Sequence, residues 1–204
     1  MKREAEIKEL LINNAIKLIA KGGFEMATTK ELTHYSGDLP DIKMNEVYIY
    51  RIFGSKEALF EATFECLDNE LYGAFRKGYE SLKDADIPLH DKMCGLLEMA
   101  WDFILHNEER CRCYVRYYYS VYFRGDSKEK HDELFGNVIN GVSSVFKEEA
   151  DVRAILHSVF TALLDFGIRV HNGDLEDNDI NRPHVFNVLY CMMETYLKDS
   201  LKTA

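Results

Sequence analysis

Side chains that commonly serve catalysis or metal binding are present in this sequence, but few stand at a spacing that lets them act together. Glu31-Leu32-Thr33-His34 is the one Glu-x-x-His in the chain. A helical di-iron centre needs two such pairs and further carboxylates projecting inward, so a single pair in a short segment reads as an exposed acid and imidazole. Asp102 and His106 share a helix face at i, i+4 spacing, the ordinary arrangement of surface electrostatics. The five cysteines, Cys66, Cys94, Cys111, Cys113 and Cys191, are odd in number and lack the paired Cys-x-x-Cys spacing of zinc sites, so they read as reduced thiols. Cys111-Arg112-Cys113 is a redox pair by spacing, yet neighbouring helical positions point apart, and incidental helix residues are the better reading. Without a glycine-rich phosphate loop, a nucleophile elbow or a zinc signature, the chain reads as a non-enzyme with no cofactor and no metal.

Composition says what must position any binding residues. The 204 residues are 47% hydrophobic and 29% charged, enough to bury a core. Only 3 Pro and 12 Gly are available to punctuate turns, so long helices are the economical solution and the expected class is all-α. The N-terminal Met1-Lys2-Arg3-Glu4 is charged, and no uncharged apolar run reaches the roughly 18 residues of a membrane span. The expected location is the cytoplasm, with no membrane partner. A net charge of -10 speaks against nucleic acid, but residues 1–60 hold nine Lys/Arg and nine Asp/Glu, so the acidic excess lies entirely behind a neutral head.

Periodicity divides the chain further. Ile7, Leu11, Ala15 and Leu18 mark a first helix over about residues 5–21, stopped by Gly22-Gly23. Thr28-Thr29-Lys30-Glu31 fits a capping box opening a short second helix. After a polar stretch with Pro40, residues 44–53 read as a third short helix, and Gly54-Ser55 precedes a long fourth one from Lys56 to about Tyr79. Three short helices followed by a long one suggest a helix-turn-helix. The expected organisation is a head over residues 1–55, a connecting helix over 56–80, and a second domain over 81–204. Five further helices are expected there, near 89–106, 109–123, 127–148, 151–171 and 183–201, with residues 171–181 as the clearest loop.

Residues 15–60 resemble the TetR family of transcriptional regulators. The likeness is carried by Ile16-Lys17-Leu18-Ile19-Ala20-Lys21-Gly22-Gly23-Phe24, by Ala27-Thr28-Thr29-Lys30-Glu31-Leu32, by Ser36-Gly37, and by Tyr50-Arg51-Ile52-Phe53-Gly54-Ser55-Lys56-Glu57-Ala58-Leu59-Phe60. It implies a ligand-responsive, DNA-binding repressor released from a palindromic operator by a small molecule. Carried over residue by residue, it implies phosphate contacts from Thr28 or Thr29, from Tyr50 and from Lys56, a DNA-binding role for Lys30, and a base-facing role for Asn45, Glu46 and Tyr48. Each has a plainer alternative: Thr28 as a cap with or without DNA, Tyr50 half in the core, Lys56 and Glu46 as solvated charges. One departure from the family pattern is Asp38-Leu39-Pro40-Asp41-Ile42-Lys43, which enlarges the turn before the third helix by about six residues.

Two groupings shape expectations for the second domain. Tyr114, Tyr117, Tyr118, Tyr119, Tyr122 and Phe123, with Trp101 and Phe103 before them, hold more ring area than one helix face buries. Trp101, Phe103, Tyr114, Tyr117, Tyr118 and Tyr122 are expected to line a pocket for an unknown flat or aliphatic ligand, with ordinary core as an equal alternative for any one of them. The last two expected helices are apolar over more than one face. Pairing with the same helices of a twin chain, through Leu156, Phe160, Leu163, Leu189, Met192, Met193 and Tyr196, makes a four-helix bundle and a homodimer. A protein of this fold that has lost operator binding and acts through protein partners is the alternative reading; a bundle metalloenzyme comes last.

Overall fold

The computed structural model describes residues 2–34 and 44–201. Among them the chain forms α1 (Lys2–Gly22), α2 (Thr29–His34), α3 (Val47–Phe53), α4 (Lys56–Leu82), α5 (Leu89–His106), α6 (Glu108–Tyr118), α7 (Asp126–Val142), α8 (Val152–His171) and α9 (Asn181–Glu194), with 3-10 turns at Ser143–Val145 and Asp199–Leu201. No β-strand occurs among the described residues, and the class is all-α as expected. The described residues fall into two compact units, one within Met1–Asp68 and Glu109–His131, the other within Asn69–Glu108 and Asp132–Ala204. The long helices α4 and α7 supply residues to both.

In the first unit α1 follows a 3.6-residue period: Ile7, Leu11, Ala15 and Ile19 are buried, and Leu18 lies half-buried beside them. Each Ile or Leu side chain so buried stabilises the fold by roughly 1.5–3 kcal/mol. This stripe packs α1 against α2 and α3. The buried Asn14 carboxamide donates to the Leu32 carbonyl at 2.9 Å, satisfying an acceptor at the end of α2, where a helix leaves its last carbonyls without internal partners. At the other end of α2 the Thr28 hydroxyl accepts from the Glu31 N–H at 3.2 Å, the half of the capping box that starts the helix. The third helix begins at Val47 rather than Met44. Asn45 turns its side-chain oxygen onto the Val47 N–H at 3.1 Å, an Asx turn that competes with helix for the preceding residues. Gly54, at φ +84°, donates to the Tyr50 carbonyl at 3.0 Å and closes α3 in a left-handed conformation that favours glycine. The Ser55 hydroxyl then accepts from the Ala58 N–H at 3.0 Å and opens α4. The added residues 38–43 lie outside the described residues.

The second unit is organised by α5, α8 and α9, which pack on one another. Close approach of α5 and α8 depends on Gly167, where a Cβ would fall 2.3 Å from Ile104 Cγ2. The loop between α8 and α9 is tied to α5. The Trp101 indole N–H donates to Asp177 at 3.0 Å, and Arg182 grips the same carboxylate with two nitrogens at 3.0 and 2.6 Å. Arg182 also reaches Asp102 at 3.4 Å and Glu98 at 3.7 Å. Donation from Arg182, reinforced by Trp101, holds the Asp177 carboxyl below its ordinary value of 3.8.

Several helix ends differ from expectation, and tertiary contacts explain them. The helix expected over 109–123 stops at Tyr118, where the Ser120 hydroxyl donates to the Tyr117 carbonyl and accepts from the Tyr122 N–H. Those expected over 127–148 and 183–201 stop at Val142 and Glu194 because Phe146 and Leu197 form an antiparallel bridge and are both buried. The two flanking lysines reinforce it, Lys147 donating its ammonium to the Thr195 carbonyl at 3.1 Å and Lys198 to that of Ser144 at 2.7 Å. By length and composition α8 is apolar enough to cross a membrane. It carries Arg153, Asp165 and Arg169, and its Ile155, Val159, Leu163 and Leu164 are buried in this unit.

Gly167→Ala drives a methyl into Ile104, so its denaturation midpoint in urea should fall by the equivalent of about 1–3 kcal/mol while the helical signal is retained. A midpoint equal to that of the parent protein contradicts the close packing. The depressed Asp177 carboxyl contributes stability that is complete above pH 3.8 and is lost as acid carries the pH below that value. Trp101, the one tryptophan, should report this loss as a change in fluorescence on acidification, and Asp177→Asn should abolish that acid step.

Candidate nucleic-acid interface

The head residues singled out from the sequence lie at the start of α2, on α3 and at the start of α4. Thr28 and Lys30 are exposed and Thr29 is half-buried; Asn45 and Glu46 are exposed, Tyr48 is half-buried, and Tyr50 is 53% exposed. Lys56 is half-buried with its ammonium 5.5 Å from the centre of the Phe60 ring. Two of these residues meet: the Thr29 hydroxyl donates to the Glu46 carboxylate at 2.6 Å, joining the start of α2 to the start of α3. Behind α3, Ile49 is fully buried. With Asn45 occupied as a turn acceptor and Glu46 by Thr29, the outward row of α3 is Val47, Tyr50 and Arg51, all exposed. The Arg51 guanidinium rests 4.5 Å over the Tyr48 ring. Hydroxyl, guanidinium and ammonium groups on one short stretch are donors suited to phosphate oxygens and base edges.

The aromatic residues expected to line a pocket fall in both units. Trp101, buried, and Phe103, half-buried, sit on α5 in the second. Tyr114, Tyr117, Tyr118 and Tyr122 belong to the first, the first two buried and the others half-buried. Phe64 stacks on Tyr117 at 4.5 Å and on Tyr114 at 5.1 Å, while Tyr122 meets Phe24 at 4.6 Å. The hydroxyls of Tyr114 and Tyr117 are engaged. The Tyr117 hydroxyl is 2.9 Å from that of Ser127, which is buried in the first turn of α7. Tyr114 donates to Asp68 at 3.2 Å, and His131 brings Nδ1 to 3.1 Å from the same oxygen. Burial, with Asp68 alongside, pushes the Tyr114 hydroxyl well above its ordinary pKa, so it stays protonated and donates. Asp68 and His131 are both buried, and no sequence signal joins positions 63 apart.

Of the residues expected at a twin-chain seam, Leu163, Leu189 and Met193 are buried within the chain itself. Leu156, Phe160 and Met192 are half-buried and Tyr196 is 45% exposed, with Val188 beside them on α9 at 48%. Burial raises the Cys111 and Cys113 thiols to about 12, so both hold their protons at neutral pH and are poor nucleophiles. Among the described residues no three His, Cys, Asp or Glu side chains are grouped to hold a metal.

No family model and no curated protein matches this sequence. Solved structures do resemble it. A TetR family transcription regulator from Marinobacter aquaeolei VT8 matches with a TM-score of 0.76 at 16% identity, over 94% of this chain and 98% of that one. The chain has the fold of the TetR family. A TetR-like transcriptional regulator from Rhodococcus sp. RHA1 matches at TM-score 0.64 and 16% identity over 91% of this chain and 92% of that one. The regulator FadR from Bacillus subtilis, solved in complex with stearoyl-CoA, matches at TM-score 0.60 and 16% identity over 89% and 96%. The TetR resemblance read from residues 15–60 thus extends, as a fold, over nearly the whole chain.

Within the first unit, removing the carboxylate of Asp68 leaves the Tyr114 hydroxyl and the His131 ring buried without their acceptor. Asp68→Ala should therefore lose about 3 kcal/mol or more of unfolding free energy, measured by urea denaturation, and Asp68→Asn should lose less because it keeps an acceptor oxygen. Equal stability of all three proteins rules out a buried polar link.

Proposed function

We propose that this protein is a DNA-binding transcriptional regulator that works as a homodimer and acts as a repressor released from a near-palindromic operator by a small molecule in the cytoplasm. The observation that carries the reading is the solvent-facing row of α3, held from behind by Ile49 and flanked by the Thr29–Glu46 bond, in a chain with a TetR-type fold. Its head is residues 1–55, with residues 56–80 connecting it to a sensing and dimerising domain over 81–204. Thr28, Lys30, Tyr50 and Lys56 approach phosphates, and α3 enters the major groove. The seam between twin chains uses the outward side chains of α8 and α9, chiefly Leu156, Phe160, Val188 and Met192, and Tyr196 just past the end of α9, with Leu163, Leu189 and Met193 backing them. The effector is a molecule with a long apolar part, a class consistent with the stearoyl-CoA bound to the Bacillus subtilis neighbour.

The neutral head favours a second reading, in which the same fold acts through protein partners and binds no operator. Selection from a random duplex library separates the two. The first reading expects a dimer by light scattering and enrichment of a near-palindrome, with affinity falling by a factor of about 10³ between 50 and 200 mM salt. It also expects Phe160→Glu to yield a monomer that no longer retains the selected site. Enrichment of no sequence is the result the second reading expects.

A further inference from the structure

We propose that Arg51 is the specificity-determining residue of the head and reads a guanine in each half-site, with Val47 against a thymine methyl close by. This inference rests on the DNA-binding reading above and adds which residue selects the sequence and which base it selects. Three side chains around the start of α3 are already engaged. Asn45 accepts from the Val47 N–H at 3.1 Å, Glu46 accepts from Thr29 at 2.6 Å, and Tyr48 lies half-buried beneath the Arg51 guanidinium. Ile49 is buried, and Ile52 and Phe53 are half-buried. Within α3 itself the outward residues form one ridge of positions 47, 50 and 51.

Two properties of that ridge point to bases rather than phosphates. Val47 is 67% exposed, and an aliphatic group has nothing to offer a phosphate, whereas a thymine methyl in the major groove is an apolar surface of matching size. Arg51 stands one turn further along the same ridge, about 6 Å away, roughly two base-pair steps. Its guanidinium is stacked at 4.5 Å on the Tyr48 ring, which restrains the planar fork and reduces the freedom lost when both its nitrogens bind. A fork of that kind matches the paired acceptors O6 and N7 of guanine. A flexible ammonium at the same position serves a phosphate equally well but cannot make the paired contact.

The test uses the full-length chain and the duplex that it enriches. Replacing the half-site guanine by 7-deazaguanine removes the N7 acceptor and leaves pairing intact. The expected result is a loss of about tenfold or more for the parent protein, no further loss for Arg51→Ala, and an intermediate response for Arg51→Lys. Repeating the selection with Arg51→Ala should erase the guanine preference while the rest of the site persists. An unchanged affinity of the parent protein for the 7-deaza duplex overturns the proposal. So does an Arg51→Ala protein that weakens uniformly on every sequence with a shallower salt dependence, since that marks a phosphate contact. If the parent protein enriches no sequence, operator reading itself fails and the proposal falls with it; if it enriches a site that Arg51→Ala selects unchanged, this assignment alone fails. The 7-deaza comparison on the parent protein needs no variant to fold.

Discussion

Seven residues of helix do not hold themselves together in water, because nucleation costs more than one or two turns of hydrogen bonds return. The α3 helix is that short, so what it presents to solvent depends on what pins it. Ile49 anchors it against the first unit, Glu46 takes the Thr29 hydroxyl, Asn45 holds the entry and Gly54 the exit. These restraints act on its inward face and its two ends. They leave one ridge outward, and that ridge is a defined arrangement of chemical groups rather than a fluctuating strand of polar residues.

The rest of the first unit is built stiffly around that constraint. Aromatic rings from α4, α6 and the turn after α1 interlock, and the polar groups among them are paired: Tyr117 with Ser127, and Tyr114 and His131 with Asp68. Buried polar links of this kind cost a good deal when one partner is missing and add little beyond it when complete, so they specify one packing more than they stabilise it. In the second unit Gly167 does comparable work by absence, letting α5 and α8 meet, while Asp177 ties the loop before α9 to Trp101.

Much of the fold was legible in the sequence because local signals and tertiary packing agree there. The stripe of α1, the Thr28 cap, the Gly54-Ser55 break and the starts of α5 and α8 lie where periodicity and capping place them, to within a few residues. The illegible parts are those decided by residues distant in the chain. Nothing near Phe146 announces that it will bridge Leu197 and end two helices, and nothing near Ser127 announces that its hydroxyl belongs to Tyr117. The head shows the same division. A short third helix ending at Phe53 is legible from the sequence, though it starts at Val47 and not at Met44, and which of its side chains face out depends on partners: Thr29 for Glu46, and Tyr48 for Arg51. For that reason the resemblance points to Asn45, Glu46 and Tyr48, whereas Val47 and Arg51 emerge from the folded arrangement.

On the proposed function, the outward ridge of α3 enters the major groove of a specific duplex. Methylation of guanine N7 by dimethyl sulfate probes that groove directly, since N7 is exposed there in free B-form DNA. On the duplex that the protein enriches, one guanine in each half-site should be protected when the protein is bound and reactive when it is not. Full reactivity of every guanine in the bound duplex contradicts it.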